Sequence, residues 1–128
     1  MYRILFIALG GAIGSVLRYA AGGTVHRFMG STFPWGTFAV NVSGSFAIGF
    51  LWALFDRMSG STLARSFVFI GILGGYTTFS SYTLETFNLL RDGEIKLGLL
   101  NMLAGNIAGV VFVFIGFYLC ELLFSMKV

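Results

Sequence analysis

Charge is scarce in this chain. Of 128 residues, 10% are Asp, Glu, Lys or Arg, against 57% hydrophobic residues that include 15 Phe, and the mean hydropathy is +0.90. That balance lies outside the range of soluble domains and marks an integral membrane protein, with the lipid bilayer as its surroundings. The eight basic residues sit at the ends of apolar stretches and never form a run, so they read as interfacial anchors and exclude a nucleic-acid partner. Cysteine occurs once, as Cys120 in an apolar stretch. An intrachain disulfide and a cysteine-rich metal site are therefore excluded, and the residue reads as a small buried apolar group. The single histidine, His26, has no His, Cys or carboxylate beside it and reads as a loop residue, not a ligand. Soluble linkers, low-complexity tracts and internal repeats are missing too, so the inverted symmetry common in transporters cannot arise within one chain.

What the chain does contain is four apolar stretches, about 4–22, 35–55, 65–91 and 97–124, each long enough for a transmembrane helix. Together they make a single all-α, four-span membrane domain. The connections are too short to hold an extramembrane unit, so any chemistry sits within the membrane. Residues 1–23 have the outline of a signal peptide, but Arg18 inside the apolar run argues against cleavage and keeps the segment as a span. Four helices form too thin a bundle for a watertight pore at its centre, so transport calls for an oligomer, a dimer at least.

The third span carries the least helical stretch. Gly74 and Gly75 are followed by Thr77, Thr78, Ser80 and Ser81, poor helix formers placed where hydrocarbon demands an unbroken helix. A break near the middle of the helix, around Gly74–Thr78, is expected. Freed amides and carbonyls survive in a bilayer only when buried in protein or lining a wet cavity, so something must satisfy them. If the helix restarts near Thr78, Phe79 and Tyr82 share a face with Thr83 and Thr86. Glu85 falls in the outer half and reads as a vestibule residue or an ion-pair partner, with Arg18 as a candidate.

In the second span, Thr37, Asn41 and Ser45 recur every four residues beside Gly44 and form one polar stripe. Alone, Asn41 would read as a helix-to-helix hydrogen bond of about 1 kcal/mol; opposite a broken polar helix, the stripe reads as a pore lining. The first span holds the small-residue pairs Gly10/Gly14 and Gly11/Ser15, a face for close helix contact. Arg18 follows near one end of that face and either snorkels to the interface or faces a water-filled vestibule. In the fourth span, Asn101, Gly105 and Gly109 recur with Gly98 and Gly116 on roughly one side, a packing or pore-flanking face, while Asn106 points elsewhere.

With four spans, Arg3, Arg57, Arg65 and Lys127 fall on one side and Arg18, Arg27, Arg91 and Lys96 on the other, four against four. The positive-inside rule then has no preference to act on. A chain that inserts both ways can pair head-to-tail, and an antiparallel, dual-topology homodimer supplies from two chains the inverted repeat that one chain lacks.

Three stretches, Gly14-Ser-Val-Leu-Arg18, Gly36-Thr-Phe-Ala-Val-Asn41 and above all Gly74-Gly-Tyr-Thr-Thr-Phe-Ser-Ser-Tyr-Thr-Leu-Glu85, resemble the Fluc family of small fluoride channels, also called CrcB. The resemblance covers nearly the whole chain. It implies passive export of fluoride across the cell (inner or plasma) membrane, and an antiparallel homodimer with two pores. It also implies a structural sodium ion on the dimer axis, held by backbone carbonyls of Gly74 and Thr77 from both chains. By the same resemblance Asn41, Phe79 and Tyr82 line the pores, with Thr37 and Ser80 nearby. The second aromatic position is commonly Phe in that family, so Tyr82 adds a hydroxyl; the hydroxyl track of the family's fourth span appears here as Asn101 and Gly105. The chemistry agrees: fluoride gives up its water only to close donors, such as amide and hydroxyl groups, and ring edges carry partial positive charge without forming a strong trap.

The rival reading is a small dual-topology, proton-coupled multidrug antiporter of similar length. It needs a carboxylate deep in a helix, yet Asp56, Asp92, Glu94 and Glu121 fall near turns or ends and Glu85 alone is a candidate. A helper subunit without transport would need none of the polar stripe.

Overall fold

In the computed structural model, residues 2–125 are described, and they form helices joined by short turns. In order these are α1 (Tyr2–Met29), α2 (Trp35–Arg57), α3 (Thr62–Arg65), a π-helical segment (Ser66–Leu73), α4 (Gly74–Tyr76), α5 (Phe79–Arg91) and α6 (Ile95–Ser125). The four from α3 to α5 make one interrupted span, so four helices are long and apolar enough to cross a membrane: Tyr2–Met29, Trp35–Arg57, Thr62–Arg91 and Ile95–Ser125. The expected four spans and the broken third are both present, with the first helix running seven residues past its expected end at Gly22. It stops where Gly30, at φ 82°, turns the chain and donates to the His26 carbonyl at 3.1 Å. His26 and Arg27 therefore belong to α1, not to a loop.

With lipid outside, helices gain little from burying apolar side chains against each other, and close backbone approach has to supply the contact. Glycine makes that possible at each helix pair. A Cβ on Gly10 would lie 2.6 Å from the Phe67 carbonyl oxygen, and one on Gly75 equally close to that of Gly11, so α1 lies directly on the third span. Between α1 and α2 the contact is Gly36 on the Gly22 carbonyl. Between α2 and α6, Gly49 meets the backbone of Val113, and Gly116 that of Phe46. The largest fully buried side chains among the described residues are Val40, Asn101 and Cys120, and the last confirms the apolar reading of the lone cysteine.

The π-helical turn was not foreseen. From Ser66 to Leu73 the helix is widened, and the Gly74 amide reaches back to Phe69, five residues earlier. Polar anchoring marks the ends of the spans. Arg57 pairs with Glu121 and Arg65 with Asp56, both at 2.7 Å, and Arg91 pairs with Asp92 at 2.8 Å. Arg3 donates to Ser66 Oγ at 2.8 Å. Of the basic residues counted above, Lys127 lies outside the described residues.

Candidate functional site

The break falls at Thr77 and Thr78, both extended (φ −82°, ψ 158° and φ −148°, ψ 121°). In an unbroken helix the Thr78 amide would bond to the Gly74 carbonyl, and the Ser81 amide to that of Thr77. Here the Thr78 amide donates to Asn41 Oδ1 at 2.8 Å, and the Ser81 amide to Thr78 Oγ1 at 3.2 Å. Both carbonyls thereby lose their helical donors. Asn41 Nδ2 completes the repair by donating to the Thr78 carbonyl at 2.9 Å. One carboxamide thus satisfies the amide and the carbonyl of the residue at the break, which is what burial of that backbone demands. The second hydrogen of Asn41 Nδ2 has no acceptor among the described residues.

Three cavities meet around this repair. The largest, about 610 Å³, is lined by Ser15, Arg18, His26, Thr37, Ser81 and Glu85 among others. A second of about 310 Å³ lies on the far side of the break, bounded by Asn41, Ser45, Gly74, Thr77, Thr78 and Phe79. The third, about 100 Å³, is enclosed by Phe38, Asn41, Phe79, Tyr82, Gly105 and Asn106. Thr78 faces the first two and Asn41 the last two, so the stripe Thr37, Asn41, Ser45 leads from the wide cavity inward.

Arg18 and Glu85 both line the wide cavity. They are not an ion pair: Glu85 Oε1 accepts from the Thr37 hydroxyl at 2.6 Å, and its buried Oε2 has no partner. Phe79 is 74% exposed on the single chain, its ring centroid 5.8 Å from that of Tyr82. Ser80 is exposed, its hydroxyl 3.4 Å from Thr78 Oγ1. Phe79, Tyr82, Thr83 and Thr86 fall on one side of the continuous helix α5, but the two threonines meet different surroundings. Thr83 is exposed and bonds back to Phe79 and Ser80, while Thr86 is buried and accepts from Asn101 Nδ2 at 2.9 Å.

Asn106 is the residue that periodicity misplaced. Four-residue spacing set it apart from Asn101 and Gly105, yet its Nδ2 donates to the Tyr82 hydroxyl at 2.8 Å and it lines the smallest cavity. Because successive residues are 100° apart on a helix, 105 and 106 both flank a ring as wide as tyrosine's. Phe38, on the same cavity, hid in an apolar run.

Residues 5–117 match the family of CrcB-like proteins, described as camphor resistance (CrcB). The chain belongs to the CrcB family. Among CrcB relatives, the fluoride-specific ion channel FluC of Parabacteroides distasonis is 44% identical over 126 residues, 98% of either chain. That of Opitutus terrae is 57% identical over 97 residues, 73% of this chain and 74% of its own. The same name is carried by a relative from Aquifex aeolicus, 45% identical and covering 92% of this chain and 96% of its own. Nothing in these likenesses supports the antiporter reading, and three of the carboxylates it could use, Asp56, Asp92 and Glu121, are held by arginines.

Proposed function

We propose that this chain is a fluoride-selective channel, not an enzyme, that lets fluoride leave the cell passively. Asn41 carries the reading: a carboxamide already locked in orientation by Thr78 has one hydrogen left over, on a cavity that Phe79 and Tyr82 also line. A donor that does not have to reorganise can replace water around a small, strongly hydrated anion, and weakly positive ring edges carry it onward without trapping it. Arg18 draws anions into the wide cavity, and Glu85 keeps that cavity from becoming an anion sink. Thr37, whose hydroxyl is given to Glu85, acts through that carboxylate, and Ser80 supplies a hydroxyl at the break.

The working unit is an antiparallel, dual-topology homodimer with a structural sodium ion on its axis. Support comes from the carbonyls of Gly74 and Thr77, both released by the break and both on the rim of one cavity. Two oxygens are too few for a cation, and a second copy of the same pair doubles them; hard oxygen donors suit an alkali cation. Once bound, the ion supplies fixed positive charge beside the anion path. Purified protein in fluoride-loaded liposomes should release fluoride, read with a fluoride electrode, and should retain chloride. Equal passage of both anions, or proton-coupled cation movement, would overturn the proposal.

A further inference from the structure

We infer that Gly44 is a positioning residue for the cation on the dimer axis: the space left by its missing Cβ seats the Thr77 methyl, and the Thr77 carbonyl keeps its aim only while that seat is open. The inference rests on the cation reading proposed above. Thr77 is anchored on both sides of its α-carbon. Its amide and its hydroxyl both donate to the Leu73 carbonyl, each at 3.0 Å. Its own carbonyl shares a planar trans peptide with the Thr78 amide, which donates to Asn41 Oδ1 at 2.8 Å. In such a unit C=O and N–H point opposite ways, so the bond to Asn41 turns the Thr77 oxygen away from Asn41. Gly44 is buried three residues further along α2, on the same side of the helix as Asn41. A Cβ there would run into Thr77 Cγ2, whereas the next nearest atom, Tyr76 Cδ1, would lie 3.2 Å away.

The methyl has no free way out of a filled seat. Cγ2 and Oγ1 branch from one carbon, so a rotation that takes the methyl off α2 also carries the hydroxyl off the Leu73 carbonyl. Otherwise Thr77 must back away from α2, and its carbonyl moves with it. A metal site tolerates ligand displacements of only about 0.2 Å, and two-fold pairing would apply the shift twice, once from each chain. Thr77→Ser deletes the one atom that collides and keeps the hydroxyl, so it separates the seat from every other effect of a larger residue at position 44.

The test is a double-mutant cycle on the full-length protein in detergent, stripped of sodium and then titrated with it, with Gly44→Ala made in the natural chain and in a Thr77→Ser chain. Thermal unfolding and the sizing profile each give a half-effective sodium concentration, and neither needs fluoride to pass. In the natural chain Gly44→Ala should raise that concentration roughly tenfold, toward the low end of what an overpacked contact costs. In the Thr77→Ser chain the same change should raise it by less than about twofold. A Gly44 that served packing alone would lower the unfolding midpoint alike with and without sodium and leave the half-effective concentration unmoved, which overturns the inference; so does an equal rise in the two backgrounds. Should Gly44→Ala fail to assemble in the natural chain, it should assemble in the Thr77→Ser chain, and failure there too overturns the inference. A natural chain whose midpoint and profile both ignore sodium overturns the cation reading and this inference with it.

Discussion

Asn41 holds the break closed and, in the proposed pore, would face the ion with the same carboxamide, so substitutions there separate into two kinds. Asn41→Asp keeps an acceptor for the Thr78 amide but sets a negative charge where an anion must pass. Charges a few ångströms apart, away from bulk water, interact by several kcal/mol, so fluoride flux should fall by roughly 100-fold or more. Asn41→Ala removes both bonds to Thr78 and leaves buried backbone groups unpaired, at a cost of about 1–3 kcal/mol that thermal unfolding in detergent should register. Loss of flux in Asp with assembly intact separates the electrostatic role from the structural one. Phe79→Ile keeps bulk without the polarised ring edge, and should lower flux while the oligomer persists on a sizing column. At this scale the sequence displayed the polar residues and hid their partners. Asn41 was visible as a carboxamide among apolar neighbours, whereas the two-way bond to Thr78 joins residues 37 positions apart. Glu85 was visible as a charge, but its choice of Thr37 over Arg18 depends on how α2 and α5 meet.

Among the elements, the third span was legible as broken because two adjacent glycines and a run of hydroxyl residues depress helix propensity where lipid would not tolerate it. The π-helical turn was not, since Ser66–Leu73 is apolar apart from Ser66 and carries nothing that marks a widened turn. Close helix contact was legible as a motif but not residue by residue. Gly10 and Gly11 open equivalent small-residue pairs, yet a Cβ on Gly10 would press on the third span, with Gly71 Cα 2.9 Å away, while one on Gly11 meets nothing within 4 Å. Gly10→Ala should therefore push α1 away from the span at a cost of about 1–3 kcal/mol, and Gly11→Ala should leave stability nearly unchanged. Thermal unfolding of the two variants in the same detergent checks the contrast. Equal losses would mean that α1 does not lie on the third span in this register. A further limit on reading elements showed at the end of α1, where Gly22 serves contact with Gly36 instead of ending the helix, and the true stop is the positive φ of Gly30.

For the molecule as a whole, the single chain leaves Phe79 exposed and the Gly74 and Thr77 carbonyls without helical donors, both matters that the proposed second copy would resolve. If a cation joins the released carbonyls of two chains, rigorous removal of sodium should slow fluoride flux and shift the sizing profile toward monomer, and sodium should restore both. Flux and profile unchanged without sodium would remove the ion from the assembly. An antiparallel pairing requires that the chain insert both ways. Its basic residues are divided four against four between the two sides, and acidic partners such as Asp56, Glu121 and Asp92 do not alter that count, because the orientation rule weighs Lys and Arg. Met58 follows α2 directly and is 71% exposed, and the native Cys120 is fully buried, so Met58→Cys offers one reactive thiol per chain on one side of the membrane. An impermeant thiol reagent applied to intact cells should modify about half of the protein, as an even basic balance requires. Two lysines added to the turn between Gly60 and Thr62 should fix one orientation and abolish flux, and co-expression with a chain biased the other way should restore it. Labelling of the Met58→Cys chain that is complete or absent, or full activity of the lysine variant alone, would rule out an antiparallel dimer whatever the ion it conducts.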